Sequence, residues 1–264
     1  MERTNCSSTT VSPVDSSLPD LPDPGGLCAI HQPNLFPRLT TLAKLFAADH
    51  WIVLDDVQFT RRDYQHRARL GALDEPNRSQ WLTIPTRLPH GRSTVIRDAL
   101  IDDPDRARRK TAGVLRQRYG PSPHWPALAQ ALAPVLDAFG TGRTAHVAAA
   151  STRVLLGLLG WQGQILTSSD LPSRPGRSQR LADLSAVTGA RAYMCGTGGM
   201  AYLDPAPFAA EGIAVTPFQP PTTGIWSSSR RISALWALAV RGPLDVTACM
   251  QTLALDHSLP KGAA

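Results

Sequence analysis

LCAIHQPNLFPRLTTLAKLFAADHWIVLDDVQF, residues 27–59, decides how the rest of the chain is read. Two short apolar runs, residues 27–30 and 51–54, flank a segment in which Leu39, Leu42, Ala43, Leu45 and Phe46 recur at helical spacing. Apolar runs of this length suit buried strands, and recurrence at i, i+3 and i+4 suits a helix. Strand, helix and strand in so short a span make a βαβ unit with a right-handed connection. Both runs end in polar residues. The first enters His31, Gln32 and Asn34, and the second enters Asp55, Asp56 and Gln58. In a parallel sheet both carboxyl ends lie on one edge, and ligands bind outside that edge. The pattern therefore predicts that these six side chains converge.

Outward from this unit the chain keeps alternating. Residues 1–26 are rich in Ser, Thr, Pro and Asp and read as a disordered leader. Residues 60–69 form a charged run holding Arg61, Arg62, His66, Arg67 and Arg69. Strands are expected at 80–85 and 96–101. Helical spacing covers 105–119, 125–139 and 144–159, a block that reads as an insertion or cap over the sheet edge. A strand at 164–167, a helix at 180–189 closed by glycine, a strand at 192–194 and a strand at 213–218 follow. Residues 232–240 read as the last helix. The fold class is α/β, a mostly parallel, Rossmann-like sheet with flanking helices. One domain is expected over 27–245, with 105–160 as the helical cap and 246–264 as a C-terminal tail.

The chain has 264 residues, 42% apolar and 18% charged, and can build a core. Its net charge of +6 comes almost wholly from arginine, since Lys44, Lys110 and Lys261 are the only lysines. A pI near 9.5 suits anionic small molecules. No long basic run carries interleaved aromatics, which argues against nucleic acid. Cys6, Cys28, Cys195 and Cys249 are scattered without a CxxC pair, which argues against a zinc knuckle or a disulfide scaffold. No signal peptide or membrane span is evident, so a cytoplasmic protein is expected.

Each candidate residue has a plain alternative. His31 at a strand end suits a general base, or a hydrogen bond to backbone. Gln32 and Asn34 suit ligand contacts, or a turn fixed by Pro33 and Pro37. Asp55 and Asp56 are adjacent, so on an extended chain only one faces the pocket, as base or Mg²⁺ ligand; the spacing leans to Asp56. The arginines suit an anion clamp, or a solvated face. Gly196, Gly198 and Gly199 after a strand allow close approach of backbone N–H groups to an anion, with Tyr202 adding a hydroxyl; the alternative is a tight turn. Ser168, Ser169 and Asp170 either line the same edge or cap a helix. Arg180 reaches an anion or lies on its helix surface. Cys195 is either an acyl-carrying nucleophile or a buried structural thiol.

IHQPNLFP, LDDVQFTRRDYQHRARL, WLTIP, LTSSDL, RLADLSAVTGARAYMCGTGGMAYLD and GIAVTPFQ occur in this order, and together they resemble the WbqC-like family over roughly residues 27–218. The resemblance implies aminoacyl-type transfer chemistry involving an amine, in O-antigen sugar or natural-product biosynthesis. By family position it singles out Arg62 and Arg69. Three departures stand out. Arg38 and Thr40 replace the usual tryptophan and glycine after the QP motif. His66-Arg67-Ala68-Arg69-Leu70 replaces an NRNRIK-type run. The C-terminal helix lacks its usual acidic residue.

The expected function is a transferase joining an amine or amino acid to an activated partner, with His31, Asp55 or Asp56 as base. Gln32, Asn34, Gln58, Arg62, His66, Arg69, Arg180, the glycines and Tyr202 would bind substrate. No metal site is read, and no cofactor is required by the sequence, although Mg²⁺ enters if a nucleotide is used. Partners would be an anionic small molecule and a biosynthetic enzyme or carrier protein. Two other classes remain open: an adenylate-forming or nucleotidyl-transfer enzyme, betrayed by Mg²⁺-dependent ATP consumption, and a non-catalytic partner subunit, inactive without its neighbour.

Overall fold

The computed structural model describes residues 26–257. The expected leader thus lies outside the described residues except for Gly26. In chain order the elements are β1 (Leu27–His31), α1 (Leu39–Phe46), β2 (His50–Val53), β3 (Arg67–Gly71), β4 (Ser79–Thr83), β5 (Thr86–Arg87), β6 (Leu100–Ile101), α2 (Pro104–Tyr119), α3 (Trp125–Ala131), α4 (Ala133–Asp137), α5 (Thr144–Leu158), β7 (Gln164–Thr167), α6 (Arg177–Val187), β8 (Ala192–Gly196), α7 (Thr197–Met200), α8 (Ala206–Ala210), β9 (Ala214–Phe218) and α9 (Leu235–His257).

Five of these strands form one parallel sheet in the order β7-β2-β1-β8-β9. The order reverses between β1 and β8, as it does in Rossmann-like folds. Alternation along each strand separates two cores. Leu27, Ala29, Trp51, Val53, Ala192 and Met194 face one core, shared with Leu42 of α1, Leu155 of α5 and Leu238 of α9. Cys28, Ile30, Ile52, Tyr193 and Cys195 face the other, under Leu184 of α6 and Phe208 of α8. The sheet is therefore the middle of three layers, which is why its strands are apolar on both faces.

Everything between β2 and β7, residues 54–163, is one long crossover. It holds the antiparallel hairpin β3–β4, the short pair β5–β6 and helices α2 to α5. The charged run expected at 60–69 becomes β3 at its end, because Ala68 and Leu70 alternate inward between the arginines. Residues 96–98 form a 3₁₀ turn instead of the expected strand, since the Ile96 and Arg97 N–H groups donate to the carbonyls of Val57 and Asp55. The helix expected at 125–139 divides into α3, α4 and a 3₁₀ turn. Pro134 at the start of α4 has no N–H to extend α3.

At the C-terminus the expected tail is helical as far as His257. Val246, Met250 and Leu253 fall at helical spacing and bury into the first core. The helix breaks at Gly242, whose φ of 79° precedes Pro243. A Cβ there would come within 2.7 Å of the His124 ring, so glycine is required twice over. Among the described residues, no helix is long and apolar enough to cross a membrane.

Candidate functional site

The site begins where two strands separate. β1 and β2 stay paired to His31 and Val53. β1 and β8 pair only at Leu27–Ala192 and Cys28–Tyr193. Beyond that the two strands diverge, and a cavity of about 680 Å³ opens between their carboxyl ends. His31, Gln32 and Asn34 line it from the β1 side, and Cys195, Gly196, Gly198 and Gly199 from the β8 side.

Divergence leaves strand carbonyls without a partner strand. Lys44 meets this need. It lies on the buried face of α1, and its Nζ donates to the Ile30 carbonyl at 3.1 Å. Its stem passes β8 so closely that a Cβ on Gly196 would lie 3.9 Å from Lys44 Cδ. Burial lowers the Lys44 pKa to about 8. Among the described residues no carboxylate forms an ion pair with it. Burial draws the His31 imidazole well below its ordinary range, and the charges of Lys44 and Arg38 add to this, so the ring is neutral at pH 7. Burial raises the Cys195 thiol, which is therefore protonated and unsuited to attack in this state.

Arg38 and Arg230 also line the cavity. The Arg38 guanidinium sits 4.6 Å from the Tyr64 ring centroid and donates to the Arg230 carbonyl at 3.2 Å. Its buried Nε has no hydrogen-bond partner among the described residues. Asp63 is the only carboxylate among the lining residues, so the cavity presents excess positive charge.

The QPNLFP turn that carries Gln32 and Asn34 is held from several sides. Gln32 Oε1 accepts from Gln65 Nε2 at 2.7 Å. The Asn34 carbonyl accepts from the Ser151 and Thr152 hydroxyls of α5 at 3.3 and 3.2 Å, and Ser151 Oγ accepts from the Phe36 N–H at 2.8 Å. These bonds hold Phe36 at a φ of 41°, a left-handed conformation costing about 1–3 kcal/mol for a residue with a side chain.

The predicted convergence of both strand ends is divided in the structure. Asp55 and Asp56 lie past the end of β2, where strand alternation no longer applies; both reach Ser168 Oγ, and neither lines the β1–β8 cavity. Asp55 is buried and accepts from Ser168 Oγ (3.2 Å), Ser169 N–H (3.2 Å) and Ser169 Oγ (3.0 Å). It borders a second cavity of about 620 Å³ beside α5, with Arg97, His146, Arg153 and Asp170. Asp56 forms an ion pair with Arg180 and accepts from Ser168 Oγ at 2.5 Å. Burial raises the Asp56 carboxyl, but the bonds from Ser168 and Arg180 and the guanidinium charge outweigh it and hold the pKa below its usual value. Ser168 carries one hydroxyl proton, so it serves one aspartate at a time.

Other predicted residues lie apart. Gln58 Nε2 donates to the Arg92 carbonyl at 2.6 Å, and Gln58 borders an open hollow with Arg61 and Arg62. His66 packs on Phe59 with ring centroids 5.2 Å apart, and burial lowers its pKa to about 4. Arg69 Nε donates to Ser79 Oγ at 2.7 Å on the hairpin. Tyr202 is 71% exposed, with the Arg177 guanidinium 5.5 Å from its ring centroid. It borders a small side pocket that shares Cys195, Gly198 and Gly199 with the main cavity. Of the predicted set, the main cavity gathers His31, Gln32, Asn34 and the three glycines.

Sequence reasoning missed Lys44, Arg38 and Arg230. A lysine at a buried position of an amphipathic helix was the available signal for Lys44. Arg230 is far away in sequence, and only the fold brings it near.

Fold and cavity together define an α/β protein with a polar, positively charged cavity at the switch point of a Rossmann-like sheet. The chain belongs to the WbqC-like protein family, whose model matches residues 32–229. It is 28% identical over 193 residues to uncharacterized protein Rv1507c of Mycobacterium tuberculosis (strain ATCC 25618 / H37Rv), a match covering 72% of this chain and 80% of that one. No solved structure matches the chain.

Proposed function

We propose that the protein is a biosynthetic transferase that joins an amine or amino acid to an activated, anionic partner, in polysaccharide or natural-product assembly. The observation behind this reading is a neutral imidazole and two arginines in one cavity at the switch point. Arg38 and Arg230 hold the anionic partner, and the Arg38 Nε offers a donor with no partner among the described residues. Gly196 and Gly198 leave part of the opposite wall as bare backbone, which a ligand approaches closely. His31 accepts the proton that the amine loses as its new bond forms. Holding both reactants in one cavity lowers the barrier without a cofactor.

The test is a mass-spectrometric screen of purified protein with amino acids, each paired with sugar nucleotides or acyl thioesters. A coupled product that disappears in His31→Gln supports the reading. A product that His31→Gln still forms at full rate overturns the assigned base. The Rossmann-like strand order favours a second reading, a nucleotide-dependent adenylate-forming or nucleotidyl-transfer enzyme. Mg²⁺-dependent release of AMP or pyrophosphate from ATP would decide for it.

A further inference from the structure

We propose that Lys44 is a nucleophile that condenses with the carbonyl group of a small anionic aldehyde or ketone held in the switch-point cavity. The inference rests on this cavity being the ligand site, but not on amine transfer being its chemistry.

Three structural facts carry it. The amine is in the cavity wall, reached from α1 through the gap left by β1 and β8. Its hydrogen-bond acceptor is a neutral carbonyl, that of Ile30, rather than a carboxylate that would hold it as ammonium. The titratable groups acting on it are Cys28 and Cys195, which would favour the ammonium only as thiolates. Cys28 and Cys195 are thiols whose pKa values are raised by burial, His31 is neutral, and Arg38 is positive. A lysine so desolvated is one whose amine is freed to attack carbonyl carbon. The lowered pKa of about 8 agrees with this placement.

Arg38 and Arg230 define the anionic half of the ligand. A carboxylate or phosphate on them would bring an adjacent carbonyl into the wall that Lys44 shares. The Nζ lone pair then attacks the carbonyl carbon. The carbonyl oxygen leaves as water with two protons, and a carbon–nitrogen double bond remains. No oxidant or reductant is consumed.

With so few lysines the test is direct. Full-length protein is incubated with glyoxylate and sodium cyanoborohydride, and peptides are mapped by mass spectrometry. Reductive trapping leaves a carboxymethyl group on any lysine that formed an imine. Exposed Lys110 on α2 is the internal reference. The expected result is labelling of Lys44 at least about tenfold faster than Lys110, because more of it is free amine at neutral pH. Labelling of Lys44 no faster than Lys110 overturns the proposal. The double variant Arg38→Gln/Arg230→Gln should lose about tenfold of the glyoxylate rate at Lys44, yet keep its rate with uncharged acetaldehyde. The acetaldehyde rate reports that the cavity is still formed. Unchanged glyoxylate labelling in that variant would overturn the anionic half of the ligand. Failure of amine transfer would leave this readout untouched, because no second amine is added.

Discussion

The two cavities on the carboxyl edge of the sheet are nearly equal in size, about 680 and 620 Å³, but handle charge in opposite ways. The β1–β8 cavity has one lining carboxylate against Lys44, Arg38 and Arg230. The cavity beside α5 mixes signs: Asp55, Asp98 and Asp170 face Arg97, Arg143 and Arg153. There Arg143 lies 3.8 Å from Asp98, and Asp55 is occupied by the two serines after β7. The cause is the backbone. β2 and β7 hold full register to Val53 and Thr167, so the residues beyond them meet and satisfy one another. β1 and β8 separate early, so the residues beyond them face open space. Separation of strands, rather than polarity at their ends, is what marks the candidate site.

The contrast is broken most directly at His31 and Asp55, one residue from each cavity. His31→Gln should lower turnover on the true substrate by about a hundredfold or more, with little change in melting temperature. Asp55→Asn should do the reverse. It keeps the shape but weakens acceptance from Ser168 and Ser169, so it should cost about 1–3 kcal/mol of stability in urea titrations and leave turnover near that of the wild type. Turnover lost in Asp55→Asn at unchanged stability would move the chemistry to the α5 cavity.

A smaller effect sharpens the role of Asp56. Its folded-state pKa is depressed, so its ion pair contributes stability above the unfolded carboxylate pKa, and this is lost as pH falls through the folded value. Arg180→Met should therefore reduce stability by about 1 kcal/mol at pH 7, with the difference from wild type shrinking below about pH 4. Chemical denaturation at pH 7 and pH 3 would measure it. A difference that persisted unchanged at pH 3 would exclude the ion pair as its source.

The smallest effect is expected at Arg153, which makes no hydrogen bond or ion pair among the described residues and borders the α5 cavity. Arg153→Gln should leave stability within about 0.5 kcal/mol of wild type. If it also changes turnover, the second cavity takes part in binding and the contrast narrows.

What the sequence made legible is local. The βαβ unit, the later strands and the long helices follow from periodicity within a dozen residues, and those elements appear near their expected positions. Gly196, Gly198 and Gly199 were found because a glycine run after an apolar strand has few readings. Pairing between distant strands leaves no such trace. Nothing in residues 27–31 says that β8 will depart after Cys28, and hence that Lys44 will be drawn through the gap. The same limit explains the spread of Gln58, His66 and Arg69 away from the cavity. Their polarity was visible, but not the hairpin and 3₁₀ turn that carry them off. The C-terminal helix is a different case: Val246, Met250 and Leu253 form one stripe at helical spacing within the stretch expected as a tail.

The crossover between β2 and β7 also bears on how the chain reaches this state. β1, α1 and β2 are close in sequence, as are β8, α8 and β9, and each group can assemble early. Seating β7 beside β2 closes a loop of roughly 110 residues, which costs about 2 kcal/mol more in chain entropy than a ten-residue connection. Until α2 to α5 have formed and shortened that span, the outer edge of β2 stays unpaired. Refolding should therefore show an early phase in which β2 and β1 gain amide protection and a later one for β7. In the interval, a bare Trp51-Ile52-Val53 edge is where one unfinished chain can capture another.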